Sequence, residues 1–409
     1  MAEQHGKTLV PQIRFAGFTD PWEQRKLGEL YKEVSEKNDL TYSRDRIISV
    51  AHMYFNPVVY VTEDDYLKTY NVMRLGDIAF EGNRSKNFAH GRLVENIIGD
   101  GIVSHVFKVF RPIQPFDLMY WKYSINNEKA MKDVLTRSTK ASTMMHELVA
   151  KDFLNEEIAV PSLEEQRQIG AFFDRLDSLI TLHQRKYDKL CVLKKSMLDK
   201  MFPKGGSLYP EIRFAGFTDP WEQRKLEDYV VVSTAKNVDG RFNKEDVLSV
   251  SGEYGIVNQI AFQGRSFAGS SVLNYGIVNT GDIVYTKSPL NSNPYGIIKV
   301  NKGIPGIVST LYAVYRPQDN VHTNFIQVYF EQHERMNNYM HPLVNKGAKN
   351  DMKVTAENAL KGVVTFPSRE EQVIISEFFD RLDSLITLHQ RKLELLRNIK
   401  KSMLDKMFV

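Results

Sequence analysis

The stretch "IRFAGFTDPWEQRKL" at residues 13–27 returns without a change at residues 212–226, an offset of 199 positions in a chain of 409. Two further stretches also occur twice, both at an offset of 206: "FFDRLDSLITLHQRK" at 172–186 and 378–392, and "KKSMLDKMF" at 194–202 and 400–408. An internal repeat of this length decides the architecture before any single motif does. The second half of the chain therefore repeats the first.

Between these anchors the two halves diverge, but they keep short landmarks in the same order. The paired landmarks are "RIISVAHMY" from Arg46 and "DVLSVSGEY" from Asp246, "LGDIAF" from Leu75 and "TGDIVY" from Thr280, "GIVS" from Gly101 and from Gly306, and Arg111-Pro112 and Arg316-Pro317. Runs of β-branched and aromatic residues bounded by Gly, Asp and Pro are typical of strands and the turns that end them. The landmarks predict a scaffold that both halves share.

The segments that follow the two "GD" landmarks differ from each other. They read "EGNRSKNFAHGR" in the first half and "TKSPLNSNPYG" in the second, both rich in turn-forming and polar residues. Such segments predict exposed loops. Two domains of one fold with different loops suit a protein that reads two different things with one architecture.

Each half ends in a stretch of about 40 residues that predicts one long helix. Ser162 with Glu165, and Ser368 with Glu371, have the spacing of a capping box, in which each side chain satisfies an unpaired backbone N–H. Pro203 ends the first copy. We therefore expect two long helices with defined first turns.

An apolar stripe runs along the first of these helices and must be buried against something. It consists of Ile169, Phe173, Leu176, Ile180, Tyr187, Leu190 and Met197, with His183 and Lys194 as interruptions. At 1.5 Å per residue, about 40 residues extend about 60 Å, which is longer than a small domain is wide. The simplest partner is the second long helix, paired antiparallel if the halves are related by a pseudo-twofold axis, with one globular domain at each end of a rigid spacer.

Alternatively, each helix packs only on its own domain. Core packing does not demand the identity of solvent-facing positions, which the repeats preserve at Asp174, Arg175, Asp177, Gln184 and Arg185. This identity favours pairing of the two helices. A recent duplication would explain the identity equally well.

Composition sets wide limits. With 42% hydrophobic residues the chain can form two or more cores, and a single cysteine, Cys191, excludes a disulfide framework and a cysteine-based zinc site. The beginning "MAEQHGKTLV" does not resemble a signal peptide, and no window resembles a membrane span, so we expect a cytoplasmic protein. The net charge is +4, with 17 basic against 19 acidic residues in 28–160 and 13 against 12 in 227–366. A DNA-binding face would therefore have to arise from local arrangement.

A search for catalytic motifs finds none. The chain lacks the phosphate loop of ATP-binding proteins. "SNPYG" at 292–296 is interpreted as a turn rather than an amino-methyltransferase motif, because Pro294 stands alone and no glycine-rich cofactor loop accompanies it. The ten histidines lack metal-ligand spacing, and His183 and His389 are interpreted as interface or surface groups. We predict no catalytic residue, no metal site and no cofactor bound by this chain.

The order of variable domain, long helix, variable domain and long helix closely resembles the specificity subunit of type I restriction-modification systems. The resemblance rests on "RFAGFTDPWEQRKL" at 14–27 and 213–226 and on "PSxxEQ" at 161–166 and 367–372, which leads into "FFDRLDSLITLHQRK". It covers essentially the whole chain, and the doubled order is more specific than any one motif.

The resemblance implies an α+β fold: two similar mixed α/β target-recognition domains, separated by two long antiparallel helices that form a coiled-coil spacer, in a pseudo-twofold internal repeat. The domains would be the first recognition domain with its repeat segment at 1–161, the first spacer helix at 162–203, the second recognition domain at 204–367 with the repeat segment 212–226, and the second spacer helix at 368–409.

The resemblance also implies a function without catalysis in this chain. Each domain would read one half of a bipartite, asymmetric double-stranded DNA site, and the helices would fix the unread spacer. Two copies of a modification subunit, an adenine-N6 methyltransferase that uses S-adenosylmethionine, would dock on the framework. Two restriction subunits that use ATP and Mg could join them. The alternatives are a self-sufficient DNA adenine methyltransferase and a coiled-coil scaffold that binds proteins without DNA specificity.

Candidate DNA contacts lie in loops rich in the residue types that read base edges or phosphates. In the first domain they are Asn83, Arg84, Lys86, Asn87, Arg137, Ser138, Thr139 and Lys140. In the second they are Lys287, Asn291, Asn293, Lys346, Lys349, Asn350 and Lys353. Taken singly, each fits an ordinary solvated loop better than a DNA contact, and the lysines suit phosphates better than bases.

Two identical partners on one chain need two equivalent docking surfaces, which a single chain supplies by repeating itself. The aromatic residues of the duplicated segment are the candidates for this role: Phe15, Phe18, Trp22, Phe214, Phe217 and Trp221. They would anchor the junction of helix end and recognition domain. An aromatic cluster that only closes a small core is the alternative, and both roles can hold at once.

Overall fold

The computed structural model describes residues 9–58, 63–83, 85–86, 88–141, 145–269, 271–287, 293–346 and 352–409. The chain forms two compact units, which we call unit 1 and unit 2. Unit 1 comprises residues 1–184 and 390–409, and unit 2 comprises residues 185–389. Each long helix therefore contributes its first part to one unit and its last part to the other.

Unit 1 combines short strands with helices of four to eleven residues and the first part of one long helix. Its strands are β1 (Glu23–Lys26), β2 (Tyr31–Val34), β3 (Ile48–Ser49), β4 (Tyr54–Phe55), β5 (Asn71–Met73), β6 (Ile78–Glu81), β7 (Arg92–Glu95), β8 (Gly101–Val103), β9 (Val109–Pro112), β10 (Thr139–Ala141), β11 (His146–Leu148) and β12 (Glu157–Val160). Its helices are α1 (Leu27–Leu30), α2 (Leu118–Ser124), α3 (Glu128–Ser138), α4 (Ala150–Asn155) and the beginning of α5 (Leu163–Lys200).

Unit 2 repeats this order of strands. Residues 259–263 form an additional helix there, and the parts equivalent to α1 and α4 form 3₁₀ turns at 226–228 and 358–360. Its strands are β13 (Glu222–Lys225), β14 (Val230–Val232), β15 (Leu248–Ser251), β16 (Gly255–Asn258), β17 (Gly276–Val278), β18 (Ile283–Tyr285), β19 (Ile298–Val300), β20 (Gly306–Val308), β21 (Ala313–Pro317), β22 (Asn345–Lys346), β23 (Met352–Lys353) and β24 (Val363–Phe366). Its helices are α6 (Gln259–Gln263), α7 (Thr323–Glu331), α8 (His333–Met340) and the beginning of α9 (Arg369–Lys406).

The two units share one strand topology. The largest sheet has the order β2-β9-β6-β7 in unit 1 and β14-β21-β18-β19 in unit 2. The two-stranded sheets correspond as well: β1-β12 to β13-β24, β3-β4 to β15-β16, β5-β8 to β17-β20, and β10-β11 to β22-β23. The landmarks of the sequence fall on these strands, and the mixed α/β content of both halves is confirmed. The boundaries predicted for the recognition domains stay a prediction.

The "GIVS" landmark has a steric reason that is the same in both units. A Cβ atom on Gly101 would lie 2.5 Å from the carbonyl oxygen of Arg46, and one on Gly306 would lie 2.5 Å from that of Asp246. Real Cβ atoms do not approach a backbone that closely, so only glycine fits where these strands pass the preceding segment. Both units therefore keep a glycine where the backbone of the "GIVS" strand passes close to the backbone of the preceding segment.

The two long helices are confirmed, each with 38 residues. Their first turns keep the serine half of the predicted capping box: the Glu165 N–H donates to Ser162 Oγ at 3.3 Å, and the Glu371 N–H donates to Ser368 Oγ at 3.4 Å. The two glutamate carboxylates bind arginine side chains of the duplicated segment instead of their own caps. The stripe residues predicted for α5 are all buried or half-buried.

Within each unit, the parts of α5 and α9 present there lie side by side and run antiparallel. In unit 1 Lys400 contacts Asp177 at 2.5 Å, and Arg397 donates to Gln184 at 2.9 Å, so that higher numbers on α5 meet lower numbers on α9. In unit 2 Lys194 contacts Asp383 at 2.5 Å. Lys194, an interruption of the apolar stripe, is thus a half-buried partner in an ion pair.

Charge explains why antiparallel pairing is favourable. Residues 163–184 carry two basic and four acidic residues, and residues 390–406 carry six basic and two acidic residues. The same contrast holds in unit 2, with six basic and two acidic residues in 185–203 against two basic and five acidic residues in 369–389. Antiparallel pairing therefore brings basic against acidic segments, and the acidic beginning and basic end of each helix also suit its macrodipole.

The end of each long helix completes a hydrophobic core. In unit 1 Phe408 packs on Trp22 and Tyr120, with ring centroids 6.5 and 5.8 Å away. In unit 2 Phe202 packs on Trp221, with ring centroids 5.8 Å apart. The repeated "KKSMLDKMF" therefore supplies an aromatic residue to the core of each unit.

Candidate nucleic-acid interface and docking surfaces

The duplicated segment of unit 1 is fixed to both long helices. The Arg14 guanidinium donates to both carboxylate oxygens of Glu165, in the first turn of α5, at 2.7 Å each. The Ile13 N–H donates to the carbonyl oxygen of Lys406 in the last turn of α9 at 3.0 Å, where helix carbonyls have no partner within the helix. The segment therefore closes the junction between the helix ends and the domain.

Unit 2 repeats these contacts on the equivalent residues. Arg213 donates to Glu371 at 2.8 and 2.7 Å, and the Ile212 N–H donates to the carbonyl oxygen of Lys200 at 3.0 Å. Both glutamates are buried, so each bidentate pair supplies charge that the buried carboxylate needs. Sequence reasoning did not find these two pairs, although the unchanged arginine and glutamate of both copies were a usable signal.

The glutamine of "PSxxEQ" ties the helix to the domain. In unit 1 the Gln166 amide donates to the Pro161 carbonyl at 3.1 Å, and its oxygen accepts from the Asp117 N–H at 3.2 Å, just before α2. In unit 2 the Gln372 amide donates to the Pro367 carbonyl at 3.0 Å, and its oxygen accepts from the His322 N–H at 2.9 Å. The glutamine of the motif thus connects the first turn of each long helix to its recognition domain.

The six aromatic residues predicted to dock a partner divide into two groups. Trp22 and Trp221 are 3% and 1% exposed and form part of the cores. Phe15 and Phe214 are half-buried and pack edge-on against Phe172 and Phe378, with ring centroids 5.8 Å apart in both units. The other two, Phe18 and Phe217, are also half-buried. Their docking role stays a prediction.

Each copy of the duplicated segment lines a cleft of the same size. The cleft of unit 1 has a volume of about 380 Å³ and lies between residues 17–23 and residues 160–163, which lead into α5. The cleft of unit 2 also has about 380 Å³ and lies between residues 216–222 and residues 367–369, which lead into α9. We name them cleft 1 and cleft 2. The duplicated sequence therefore forms the same surface feature twice.

In unit 1 the structure brings two of the candidate DNA-reading segments together. The His146 N–H on β11 donates to the Gly82 carbonyl in the β6–β7 connection at 2.9 Å, and a Cβ on Gly82 would clash with the His146 carbonyl. Asn83 donates to the buried Glu81 at 3.3 Å, and Lys86 is exposed. The beginning of the β6–β7 connection and the beginning of β11 are therefore in direct contact.

The predicted residues of the hairpin region differ in availability. Arg137 binds Glu156 through Nε at 2.9 Å, and Ser138 is fully buried and donates to the Val134 carbonyl at 2.7 Å. Thr139 donates within its own helix end to Leu135. Lys140 is exposed and has no hydrogen bond or ion pair to any described residue. Of these four side chains, Lys140 is the one most available to a phosphate.

In unit 2 Lys287 is the best-defined of the predicted residues. It is half-buried, its φ of +48° lies in the left-handed region, and its Nζ donates to the Thr310 carbonyl at 3.4 Å. Burial, followed by the nearby charge of Lys236, lowers the pKa of Lys287. Backbone strain of this kind concentrates at functional sites. Lys236, which sequence reasoning missed, adds a second cation to this place.

The remaining candidates of unit 2 and the loop candidates of unit 1 are less defined. Asn293 is half-buried at the end of its loop, and the backbones of Lys346 and Lys353 lie in β22 and β23. Five candidates lie outside the described residues: Arg84, Asn87, Asn291, Lys349 and Asn350. All the DNA-contact assignments stay predictions.

The described part of the chain contains no group of three or more His, Cys, Asp or Glu side chains arranged to hold a metal ion. Its helices include none both long enough and apolar enough to cross a membrane.

The sequence was compared with known protein families. Residues 19–191 and 218–398 each match the family described as the type I restriction modification DNA specificity domain. The chain belongs to this family. The resemblance inferred from the duplicated stretches is thereby confirmed: the chain contains two copies of the type I DNA specificity domain.

One relative and one solved structure illustrate the similarity. The specificity subunit of the type I restriction enzyme MjaVIII from Methanocaldococcus jannaschii is 25% identical over 237 residues, which cover 53% of this chain and 51% of that protein. The match therefore spans about half the length of that relative. The crystal structure of the S subunit of the type I restriction-modification system from M. genitalium covers 98% of this chain and 99% of its own, with a TM-score of 0.57 and 12% identity. At this identity the match shows a shared fold.

Proposed function

We propose that this chain is the non-catalytic, sequence-reading subunit of a type I restriction-modification complex, in which each recognition domain reads one half of a bipartite, asymmetric DNA site. One observation carries the proposal: a single chain contains two units of the same strand order whose connecting segments differ. Helix α6, for example, lies between β16 and β17 in unit 2, and the corresponding part of unit 1 has no α-helix among its described residues. A shared scaffold with different loops reads two different half-sites.

The candidate reading surfaces have modest charge, so local groups must carry DNA contact. In unit 1 the surface formed by the β6–β7 connection and the β10–β11 hairpin offers the exposed cations Lys86 and Lys140. In unit 2 Lys287 and Lys236 provide the corresponding positive charge. Lysines of this kind contact phosphates and fix the register, while neighbouring amides such as Asn83 read base edges.

The long helices set the distance between the two half-sites. Each unit holds its two helix segments together by an ion pair and an apolar stripe, so the helices act as one stiff element in each unit. Deleting seven residues from each helix at equivalent positions would shorten each by about 10 Å. We expect the unread spacer of the DNA site to shorten, or the complex to lose assembly. An unaltered spacer would contradict this role.

The chemistry resides in partner subunits. Two copies of an adenine-N6 methyltransferase dock on the duplicated framework and supply the S-adenosylmethionine site, and two restriction subunits that use ATP and Mg can join the complex. This chain contributes orientation: it holds the DNA so that a target adenine in each half-site meets one methyltransferase. A cytoplasmic location belongs to the same proposal.

Domain exchange tests the proposal most directly. Residues 28–160 are replaced by the equivalent block of another specificity subunit, and adenine methylation is mapped across the genome by long-read sequencing. We expect one half of the methylated motif to change while the other half and the spacing are unaltered. A change in both halves would contradict two independent reading domains.

A second experiment separates the proposal from its alternatives. The purified chain is incubated with DNA and radiolabelled S-adenosylmethionine, alone and with the modification subunit. We expect methyl transfer only in the mixture. Transfer by the chain alone would indicate a self-sufficient methyltransferase. Deletion of the gene in cells should also remove a bipartite methylation motif, whereas a protein-binding scaffold would leave the methylome unchanged.

A further inference from the structure

Cleft 1 and cleft 2 keep identical exposed residues that packing does not require. The run Thr19-Asp20-Pro21 is exposed in unit 1, and the equivalent run Thr218-Asp219-Pro220 is exposed in unit 2. Exposed positions outside the duplicated segment have diverged: Lys32 on β2, for example, corresponds to Val231 on β14. We call each of these exposed runs of three residues the tip of the duplicated segment. A contact with a molecule outside the chain explains why the two tips have stayed identical.

The tip stands in open space. Gly17 and Gly216, just before it, have φ values of +99° and +96°, and a Cβ added to either would meet no atom within 4 Å. The following Phe18 and Phe217 are half-buried, so part of each ring faces the cleft. Each cleft thus offers partly exposed aromatic surface beside an accessible carboxylate.

The charge of the tip is unbalanced. Arg14 is neutralised by its bidentate contact with Glu165, and Arg213 by Glu371. The exposed carboxylates of Asp20 and Asp219 make no hydrogen bond and no ion pair with any described residue. Asp20 and Asp219 lie close enough to Arg14 and Arg213 to interact with their charges, but each of these arginines is already bound to a glutamate. Each tip therefore keeps an exposed carboxylate next to partly exposed aromatic surface, which suits a lysine or arginine followed by an apolar side chain.

We infer that cleft 1 and cleft 2 each receive the same segment of the modification subunit, a basic side chain of which pairs with Asp20 in unit 1 and with Asp219 in unit 2. This inference rests on the proposed function, in which two copies of one partner bind the chain. It assigns the docking to the exposed tip of the duplicated segment. The tryptophans of that segment serve the cores instead.

The two clefts differ in charge at the first residue of the long helix. Leu163 lines cleft 1, and the equivalent residue lining cleft 2 is Arg369, which is exposed and has no ion-pair partner among the described residues. A cation there repels a basic segment. The partner copy on unit 2 therefore binds more weakly than the copy on unit 1, and Arg369→Leu strengthens the weaker site.

Charge reversal at one tip at a time tests the inference. The full-length chain carrying Asp20→Lys, Asp219→Lys or both is mixed with the recombinant modification subunit of the same system, and bound copies are counted by native mass spectrometry. We expect two copies on the unaltered chain, one on each single variant and none on the double variant, with at least a tenfold weaker affinity at each altered site. Affinity at the intact sites should fall with added salt.

Controls separate docking from folding. Asp20 and Asp219 are exposed and unbonded, so both variants should keep the unaltered melting temperature. Asp152→Lys, an equal change of charge at an exposed position of α4 outside either cleft, should leave two copies bound. Two copies on the folded double variant would overturn the inference but leave the proposed function intact. No copy on the unaltered chain would overturn the docking part of the proposed function itself.

Discussion

The same lysine–aspartate ion pair joins the long helices in both units, but its surroundings differ. In unit 1 Lys400 contacts Asp177, and the second oxygen of Asp177 accepts a hydrogen bond from the Tyr123 hydroxyl at 2.7 Å. In unit 2 Lys194 contacts Asp383 and, at 2.6 Å, also the Glu331 carboxylate. The first pair is thus completed by a neutral hydroxyl and the second by another charge.

A further cation accompanies the pair in unit 2. Lys299 on β19 is 8% exposed, and burial lowers its pKa, while Glu331 and Asp383 partly offset that effect. Strand register places Val94 at the equivalent position of unit 1. The lysine–aspartate pair between the helices is therefore identical in the two units. The domain side chains that surround this pair differ between them.

This difference separates two kinds of residue in the chain. The lysine–aspartate pair between the helices and the residues that join the duplicated segment to a helix end are the same in both units. Arg397, which donates to Gln184 in unit 1, is an exception, because its counterpart in unit 2 is Cys191. The domain residues that surround this ion pair have changed even where they are buried, as Lys299 and Val94 show. Equivalent substitutions of the shared residues should lower the free energy of unfolding by the same amount in both units. Equivalent substitutions of the domain residues that differ should lower it by different amounts.

The largest effect is expected at the two core tryptophans. Trp22→Ala and Trp221→Ala should each lower the free energy of unfolding by about 4 kcal/mol, because each removes a fully buried ring and leaves a cavity. Urea unfolding of the full chain followed by circular dichroism measures both. Trp22→Phe is the control, since it keeps an aromatic ring and removes an indole N–H that has no partner. Costs that differ twofold or more between the tryptophans would break the equivalence.

The bidentate arginine pairs come next. Arg14→Ala and Arg213→Ala should each cost about 3 kcal/mol, since each leaves a buried glutamate without its cation. Side chains of Glu165 and Glu371 are both 1% exposed, so the two costs should agree. The double variant Arg213→Ala with Glu371→Gln should recover part of the loss in the same urea measurement. A loss confined to one unit would show that the segments are held differently.

Much of the fold could be predicted from the sequence because it depends on patterns that a repeat makes visible. The helix ends, the stripe along α5 and the strands at the paired landmarks follow from spacing and residue type. The position at which Lys194 interrupts the apolar stripe is also the position at which the structure has an ion pair. The capping boxes were predicted only in part. The spacing of Glu165 and Glu371 predicted that each carboxylate caps its own helix, but each binds an arginine that is distant in the sequence instead.

The candidate site could be predicted less well, because side-chain availability depends on packing. Ser138 looked like an exposed hydroxyl in "TRSTKAST", yet it lies on the inner face of α3 and is fully buried. Arg137, one residue earlier, is held by Glu156, which is 19 residues away in the chain. No local pattern announces either contact. Lys140 shows the opposite case, where the exposed position in a hairpin agrees with the expectation.

A smaller effect, which depends on pH, should occur in unit 1 alone. Burial, reinforced by Asp117, raises the pKa of Glu95 from 4.5 to about 10, and both of its oxygens are buried without a partner. The folded state therefore keeps a proton that the unfolded state releases above pH 4.5. Stability should fall as pH rises through this window, because the unfolded state binds fewer protons. The position is held by Val300 in unit 2.

Glu95→Gln removes this titration. It should stabilise unit 1 by about 2 kcal/mol at pH 7 and by almost nothing near pH 4, as judged by urea unfolding at both pH values. Glu95→Val, which copies unit 2, should show the same dependence on pH. An equal gain at pH 4 and pH 7 would mean that packing rather than ionisation had changed.

The smallest effect distinguishes the beginnings of α2 and α7. The Asp117 carboxylate accepts from the Tyr120 N–H at 2.8 Å and so caps α2, whereas the equivalent His322 makes no side-chain cap on α7. Its Nδ1 instead lies 3.1 Å from Ser376 Oγ. Asp117→Ala should therefore cost about 1 kcal/mol, and His322→Ala about half of that or less.

The dependence on pH makes this last comparison sharper. Burial, followed by the charge of Arg369, lowers the pKa of His322 below 6.5, so the unfolded state takes up a proton that the folded state resists. The stability of unit 2 should fall as pH drops below 6.5, and His322→Ala should reduce that fall. Urea unfolding at pH 5.5 and 7.5 measures both. If His322→Ala left this loss of stability unchanged, a group other than His322 would cause it.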